Sequence, residues 1–472
     1  MEETKQKEIQ KQGIKKETVA ATATAPMENP ITEGVIWKQL LIFFFPILFG
    51  TFFQQLYNAV DAIIVGQFVG KEALSAVGGA TGSVIQLLVG FFVGLSGGAT
   101  VIISQYYGAK REEMVGYAVH TAIAFCLIGG VILMVLGIVG APWVLKVMDT
   151  PEDVLDAAVL YMRIYFAGVI GNLIYNMGSG ILRAVGDSKR PLYFLIVSCL
   201  TNIVLDFLFV LGFRMGVAGA ALATILSQLL SAGLVIVVLA RTKDMYRLTL
   251  SKIGIDRRML GRIIKIGFPS GLQSMLYSLS NVIIQSSVNS LGTDTVAAWT
   301  AYSKIDSIFW MIVNAFGISV TTFVGQNYGA GKGERVHKGI RVCLGMTVVT
   351  TVVVSFLQYN FGVYLYELFT KDAEVVRIGI DVLHFMVPVY ITYVGIEIIS
   401  GALRGIGDCW IPTLICCLGI CGIRVLWICY AVPLHKTIQM IAFSYPLTWV
   451  VTTILFVLYY FFFSRLGRKG DI

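Results

Sequence analysis

The chain has 472 residues, 56% of them hydrophobic, with a mean hydropathy of +0.78 and only 14% Asp, Glu, Lys or Arg. Soluble domains carry about a quarter charged residues, so this composition excludes a string of soluble domains. The net charge of +8 invites a nucleic-acid partner, but the placement of the basic residues along the chain excludes that reading.

Residues 1–34 are rich in Lys, Glu, Gln, Ala and Thr and contain no apolar run. A signal peptide needs such a run, so the segment is expected to be a disordered cytoplasmic tail. From Gln39 to Phe461 apolar stretches recur, each near the length of about 20 residues that a bilayer core demands. They predict spans at 39–65, 80–106, 116–142, 158–183, 191–213 and 217–240, then at 263–290, 299–327, 337–360, 377–403, 411–432 and 438–463. Apolar and polar residues do not alternate as in a barrel strand, and the helix is the other structure that satisfies its own backbone in lipid. The fold class expected is therefore an all-α integral membrane protein of twelve transmembrane helices in two six-helix lobes. The lobes are placed at 35–240 and 263–463, with a linker at 241–262 and a tail at 464–472.

The two tails and the loops after even-numbered spans hold about 27 of the 36 Lys and Arg residues, as the positive-inside rule describes. Both termini and the linker are thus expected in the cytoplasm, and the protein in the cell (inner) membrane. The eight cysteines lie in or beside apolar spans without a Cys-x-x-Cys pair, which reads as small-residue packing rather than a zinc site.

The chain repeats itself. Gly180-Ile181-Leu182-Arg183-Ala184-Val185-Gly186-Asp187 and Gly401-Ala402-Leu403-Arg404-Gly405-Ile406-Gly407-Asp408 lie 221 positions apart, as do Gln105-Tyr106-Tyr107-Gly108-Ala109 and Gln326-Asn327-Tyr328-Gly329-Ala330. Pro46 and Pro269 open the first helix of each half, and Tyr57 and Tyr277, then Asp61 and Asn281, follow at similar offsets. Six helices per unit put both halves in the membrane with the same orientation, and parallel repeats of this kind hold substrate between them near mid-membrane. The Gly-Asp turns read structurally: Gly ends one helix and Asp caps the next, with Pro191 and Pro412 in its first turn. Arg183 and Arg404 are expected at the cytoplasmic boundary, facing headgroups or helix C-termini.

Ionisable side chains inside a span are expensive and mark function by default. Asp61 lies in the first span, with Tyr57 one turn and Gln54 two turns before it. Asp206 lies in the fifth, with Asn202 at i−4. Thr224 in the sixth, and Asn172 and Asn176 in the fourth, are expected to face the same space. Two carboxylates, an amide and a hydroxyl make a hard-cation or proton site, which leaves H⁺ and Na⁺ both open as coupling ion. In the second half Gln273, Tyr277, Asn281 and Gln285 form a row at i+4 steps suited to one wall of a cavity. Glu397 and Arg424 are read as a buried ion pair, with Glu397 as a substrate carboxylate the alternative. Lys304 and Asp306 are placed near the outer end of the eighth span.

From about Val35 to Phe463 these features resemble the multidrug and toxic compound extrusion (MATE) transporters: Pro46 fifteen residues before Asp61, Tyr57 one turn before it, the Asn202/Asp206 pair, Thr224, and two Leu-Arg-x-x-Gly-Asp turns. The resemblance implies a cation site, possible for Na⁺, at Asp61, Asn202, Asp206 and Thr224, and a bend of the first helix at Pro46 as that site changes state. It implies export of organic cations or amphipathic drugs in exchange for H⁺ or Na⁺, with no other cofactor and a monomer in the lipid bilayer. Gln54, Tyr57, Asn172, Asn176, Gln273, Tyr277, Asn281 and Glu397 are the expected substrate contacts. One departure is that some members place an essential carboxylate in the seventh helix, where this chain has Asn281. The alternative is a flippase of a lipid-linked precursor, which needs a cationic cavity. An intramembrane aspartyl protease is suggested by Gly405-Ile406-Gly407-Asp408, but the chain has no Tyr-Asp dipeptide, and no enzyme is expected.

Overall fold

The structure is a computed structural model and describes residues 29–464, 466 and 467. Among these there is no strand. Nine helices are long and apolar enough to cross a bilayer, and two bent pairs meet the same length and composition when each is taken as one span. In chain order the first lobe holds α1 (Ile36–Phe68), α2 (Ala80–Gly108), α3 (Glu112–Val147), α4 (Glu152–Ala167 with Val169–Ala184), α5 (Lys189–Asp206) and α6 (Gly216–Arg241). The second holds α7 (Arg257–Asn289), α8 (Thr293–Gly329), α9 (Gly333–Glu367), α10 (Ala373–Met386 with Ile391–Gly405), α11 (Trp410–Cys416 continued by Ile423–Tyr430) and α12 (Ile438–Phe462). A short helix not anticipated from the sequence, Lys71–Gly78, precedes α2. Helix α7 spans 33 residues but is too polar to be counted with the nine by composition, because it carries the polar row from Gln273 to Gln285.

The 221-residue repeat recurs in the helix ends. Arg257–Asn289 lies 221 positions after Ile36–Phe68, and Ile438–Phe462 begins 222 and ends 221 positions after Gly216–Arg241. Both fourth helices of a lobe are broken. α4 bends by 47° at Gly168, where a Cβ would lie 2.6 Å from Ile225. α10 bends by 51° through the turn that contains Pro388, where proline withholds a backbone donor. Both fifth helices carry a π turn, Phe207–Gly212 directly after Asp206 and Cys417–Gly422 before Arg424. Such turns interrupt the regular ladder and are frequent at functional sites.

Each lobe has its own apolar core, yet the first helices cross over. Leu40, Phe43, Phe44 and Ile47 at the start of α1 pack in the core of the second lobe, where Phe44 stacks on Phe316 with ring centroids 4.1 Å apart. Met259 and Ile263 at the start of α7 pack in the core of the first. Pro46 sits in this crossing. It cannot donate to the Ile42 carbonyl, and the Ser188 hydroxyl approaches that carbonyl at 3.5 Å.

The lobes meet at the end that carries the basic loops. Small residues let the backbones of α2 and α7 touch: a Cβ on Gly94 would lie 2.7 Å from Gly271 Cα, and one on Gly98 2.6 Å from Gly267 N. Two glutamines at equivalent repeat positions close the seam reciprocally. Gln105 Nε2 donates to the Gly405 carbonyl at 2.8 Å, and Gln326 Nε2 donates to the Ala184 carbonyl at 2.6 Å.

The tail expected over 1–34 is shorter at its described end, and residues 1–28 lie outside the described residues. Pro30–Glu33 is a helical turn capped by Asn29, with Ile31 and Thr32 buried. Asn29 donates to Gln326 Oε1 at 2.9 Å, Lys332 to the Thr32 carbonyl at 3.0 Å, and Arg335 to the carbonyls of Ile31 and Gly34. At the other terminus Ser464 and Leu466 are buried, and 465 and 468–472 lie outside the described residues.

The Gly-Asp turns fold as expected in one half only. Gly186 and Gly407 take φ of +99° and +86°, which an L side chain resists. Asp187 Oδ1 accepts from the backbone N–H of Lys189 and Arg190, both at 3.1 Å. Asp408 instead accepts from the Tyr459 hydroxyl at 2.6 Å, tying α11 to α12.

Candidate functional site

Two polar sites emerge. The first is inside the first lobe, where α1, α5 and α6 pack together. Asp61 (7% exposed), Asn202 (1%), Asp206 (0%) and Thr224 (4%) are all buried there. Asp206 is close enough to Asp61 for the two carboxylates to repel each other. Asp61 Oδ1, both oxygens of Asp206, and the amide oxygen and nitrogen of Asn202 have no hydrogen-bond partner among the described residues. The Thr224 hydroxyl donates to the Ala220 carbonyl at 3.0 Å, so its oxygen remains an acceptor. These oxygens fit a small hard cation or a proton shared between carboxylates. Tyr57 turns toward Gln228 of α6, which Tyr165 of α4 also reaches, and Tyr161 lies near both aspartates. The sequence reading missed Gln228, Tyr161 and Tyr165. Tyr161 and Tyr165 face one side of α4 at i, i+4, which the spacing alone could have flagged.

The second site is a cavity of about 780 Å³ between the lobes. The expected wall is present: Gln273, Tyr277, Asn281 and Gln285 all line it. Gln273 donates to the Tyr277 hydroxyl at 3.3 Å. Asn176 lines it as well, donating to Asn172 Oδ1 at 2.9 Å, while Asn172 is buried behind it. Glu397 lines the cavity, but Gln54 and Tyr57 are not among its lining residues and Gln54 is exposed. The expected substrate contacts thus divide between two places instead of forming one.

Two expectations are corrected here. Glu397 does not pair with Arg424. Its Oε1 accepts from Arg404 Nη2 at 3.3 Å and its Oε2 from the Tyr393 hydroxyl at 3.3 Å. The seven-residue spacing puts Glu397 and Arg404 two turns apart on one face of α10. Arg404 is accordingly not a headgroup contact, and both it and Arg183 line the cavity. Gly317 of α8 makes the room, since a Cβ there would collide with Glu397 Oε1 and lie 2.9 Å from its Cδ. Gly317→Ala is expected to push the carboxylate off Arg404 and cost about 1–3 kcal/mol, as overpacking does. A thermal-unfolding midpoint that does not fall would contradict this placement.

Asp306, placed near the outer end of the eighth span by the sequence, was not among the expected site residues. It lines the cavity, and its Oδ2 accepts from Trp310 Nε1 at 2.7 Å. Its Oδ1 has no hydrogen-bond partner among the described residues, and the Tyr302 and Tyr390 hydroxyls bond to each other at 3.2 Å. Tyr302, Trp299, Tyr445 and Trp449 continue the aromatic wall, with ring centroids 5.2–6.1 Å apart in successive pairs. A carboxylate within aromatic rings can hold an organic cation by charge and by cation–π contact.

Known proteins resemble this chain over most of its length. The MatE family profile matches residues 46–208 and 269–428. The chain is 29% identical over 436 residues to the probable multidrug resistance protein YoeA of Bacillus subtilis, covering 90% of this chain and 94% of that protein. It is 31% identical to the probable multidrug resistance protein YpnP of the same organism, over 80% of this chain and 84% of that one. A solved structure described as the outward-facing conformation of a multidrug resistance MATE family transporter superposes with a TM-score of 0.84 at 23% identity, over 92% of this chain and 97% of that one. These relatives do not favour the flippase alternative.

Proposed function

The chain belongs to the MatE family of multidrug efflux transporters, and from that premise we propose that it is a secondary antiporter, exporting organic cations and amphipathic drugs in exchange for H⁺ or Na⁺. The observation that carries this is the set of five unpartnered buried polar atoms on Asp61, Asn202 and Asp206. Removing carboxylates from water costs several kcal/mol each when nothing compensates. A proton or Na⁺ arriving at the pair supplies the compensation, so occupancy of this site is worth enough to bias two arrangements of the lobes.

The lobes touch at the basic-loop end, which the positive-inside pattern puts in the cytoplasm. The arrangement is thus read as outward-facing, with both termini inside the cell. Substrate sits between the aromatic wall near Asp306 and the polar row of α7. The ion enters the first lobe, where α1 both carries Asp61 and crosses into the second lobe at Pro46. That shared helix is the mechanical link. The coupling can be no larger than the difference in ion affinity between the two states.

The test is uptake of a fluorescent cation into proteoliposomes under an imposed Na⁺ gradient or an imposed pH gradient, each alone. Accumulation driven by one gradient and abolished when it is dissipated is the expected result. Accumulation independent of both would overturn antiport.

A further inference from the structure

The repeat that aligns the two lobes also aligns their polar sites, and the chemistry inverts. Thr224 of the first-lobe cluster has Tyr445 as its counterpart 221 positions on, Asn202 has Ile423, and Asp206 has Trp427. Asp206 is thus replaced by an aromatic residue and Asp61 by Asn281, and an arginine, Arg424, appears one position after the counterpart of Asn202.

Arg424 is 4% exposed and lines the central cavity. Its guanidinium carbon sits 4.2 Å from the centroid of the Tyr445 ring. Among the described residues its one hydrogen bond is a long one, Nη2 to Thr448 Oγ1 at 3.5 Å, and its Nε–H has no partner. No carboxylate among the described residues pairs with it, and Glu397 is engaged by Arg404. A buried guanidinium without a counter-ion is costly, and contact with an aromatic face offsets only part of that cost. The fork of an arginine is shaped for a carboxylate or phosphate. Tyr445 and Asp306 line the same cavity as this cation.

We infer that Arg424, beside Tyr445 and Thr448, is an anion-binding subsite of the central cavity, and that the substrates include amphipathic zwitterions held with the cationic end toward Asp306 and the anionic end on Arg424. This deepens the transport reading and rests on it, but it does not rest on ion coupling.

The experiment measures binding to the purified full-length protein in uncharged maltoside micelles, without any gradient, by fluorescence anisotropy. The probes are rhodamine 110, which carries a free carboxylate, and rhodamine 123, its methyl ester. The wild type is expected to bind both. Arg424→Gln is expected to weaken rhodamine 110 by about tenfold or more while changing rhodamine 123 by less than about twofold. Arg424→Lys keeps the charge and loses the fork, and is expected to weaken the acid by about threefold and spare the ester. It also serves if the glutamine variant does not fold. Equal effects on the two dyes, or a wild type that binds the ester and rejects the acid, would overturn the subsite and leave antiport standing. Phosphatidylethanolamine added to the micelles is expected to leave rhodamine 110 bound. Displacement would overturn the assignment to a solute and name a bilayer headgroup instead. Failure of gradient-driven transport in proteoliposomes would count against antiport and leave this binding result untouched.

Discussion

Asp61→Asn is expected to abolish gradient-driven efflux while leaving expression intact. Asparagine keeps the shape and removes the titratable charge, so the first-lobe site loses the group that distinguishes its filled from its empty state. Coupling energies of about 1–3 kcal/mol correspond to effects of about 5–150-fold, so efflux should fall by at least about tenfold. Stability should not fall with it. Asp61 repels Asp206, and both carboxylates hold unpartnered oxygens, so a neutral amide relieves a repulsion. The check is dye efflux from energised cells that lack their own pumps, together with the thermal midpoint of the purified protein. Retained coupled efflux would remove Asp61 from the mechanism.

Gly98→Val carries the second large effect. A Cβ on Gly98 runs into the Ile263 carbonyl and lies 2.6 Å from Gly267 N, and these are backbone atoms of α7 that have no side-chain freedom to retreat. Overpacking of this kind costs about 3 kcal/mol, which shifts an equilibrium between closed and open cytoplasmic ends by about a hundredfold. Cys409 lines the cavity and is buried. Its labelling by an impermeant maleimide from the cytoplasmic side should rise by about tenfold or more, read by peptide mass spectrometry, and transport should be lost. Gly90→Val is the control. Nothing lies within 4 Å of a Cβ at Gly90, so the same branched residue on the same helix should leave labelling near wild type. Equal labelling in the two variants would show that the α2–α7 contact does not close the cavity.

Much of the architecture was legible because lipid imposes it. Apolar runs of bilayer length, basic loops on one side and a 221-residue repeat each follow from elementary constraints, and the helix ends fall near the expected ones. The short helix Pro30–Glu33 was not legible, since it is held by Arg335, Lys332 and Gln326 from 300 residues away. The polar row of α7 was readable at i+4 steps. Arg404 was misread because its position marks the end of a helix, while its direction depends on Glu397 two turns earlier and on the gap at Gly317. Tyr302, Asp306 and Trp310 stand at i, i+4 and i+8 along α8, a stripe that sequence spacing contains. It was passed over because Asp306 was placed by depth along the span instead of by face. The loss of Asp206 to Trp427 and the arrival of Arg424 three residues earlier were present in the repeat, but only the structure shows that Arg424 is buried with no counter-ion among the described residues.

The central claim is that ion and substrate exchange, and reciprocity gives its most direct measurement. Wild-type protein is reconstituted into liposomes holding a lumenal pH indicator and Na⁺, with no gradient imposed, and a permanently charged organic cation is added outside. The account predicts that substrate entry drives H⁺ or Na⁺ out of the lumen, and that Asp61→Asn vesicles show no ion movement. Substrate entry with no flux of either ion from wild-type vesicles would contradict it.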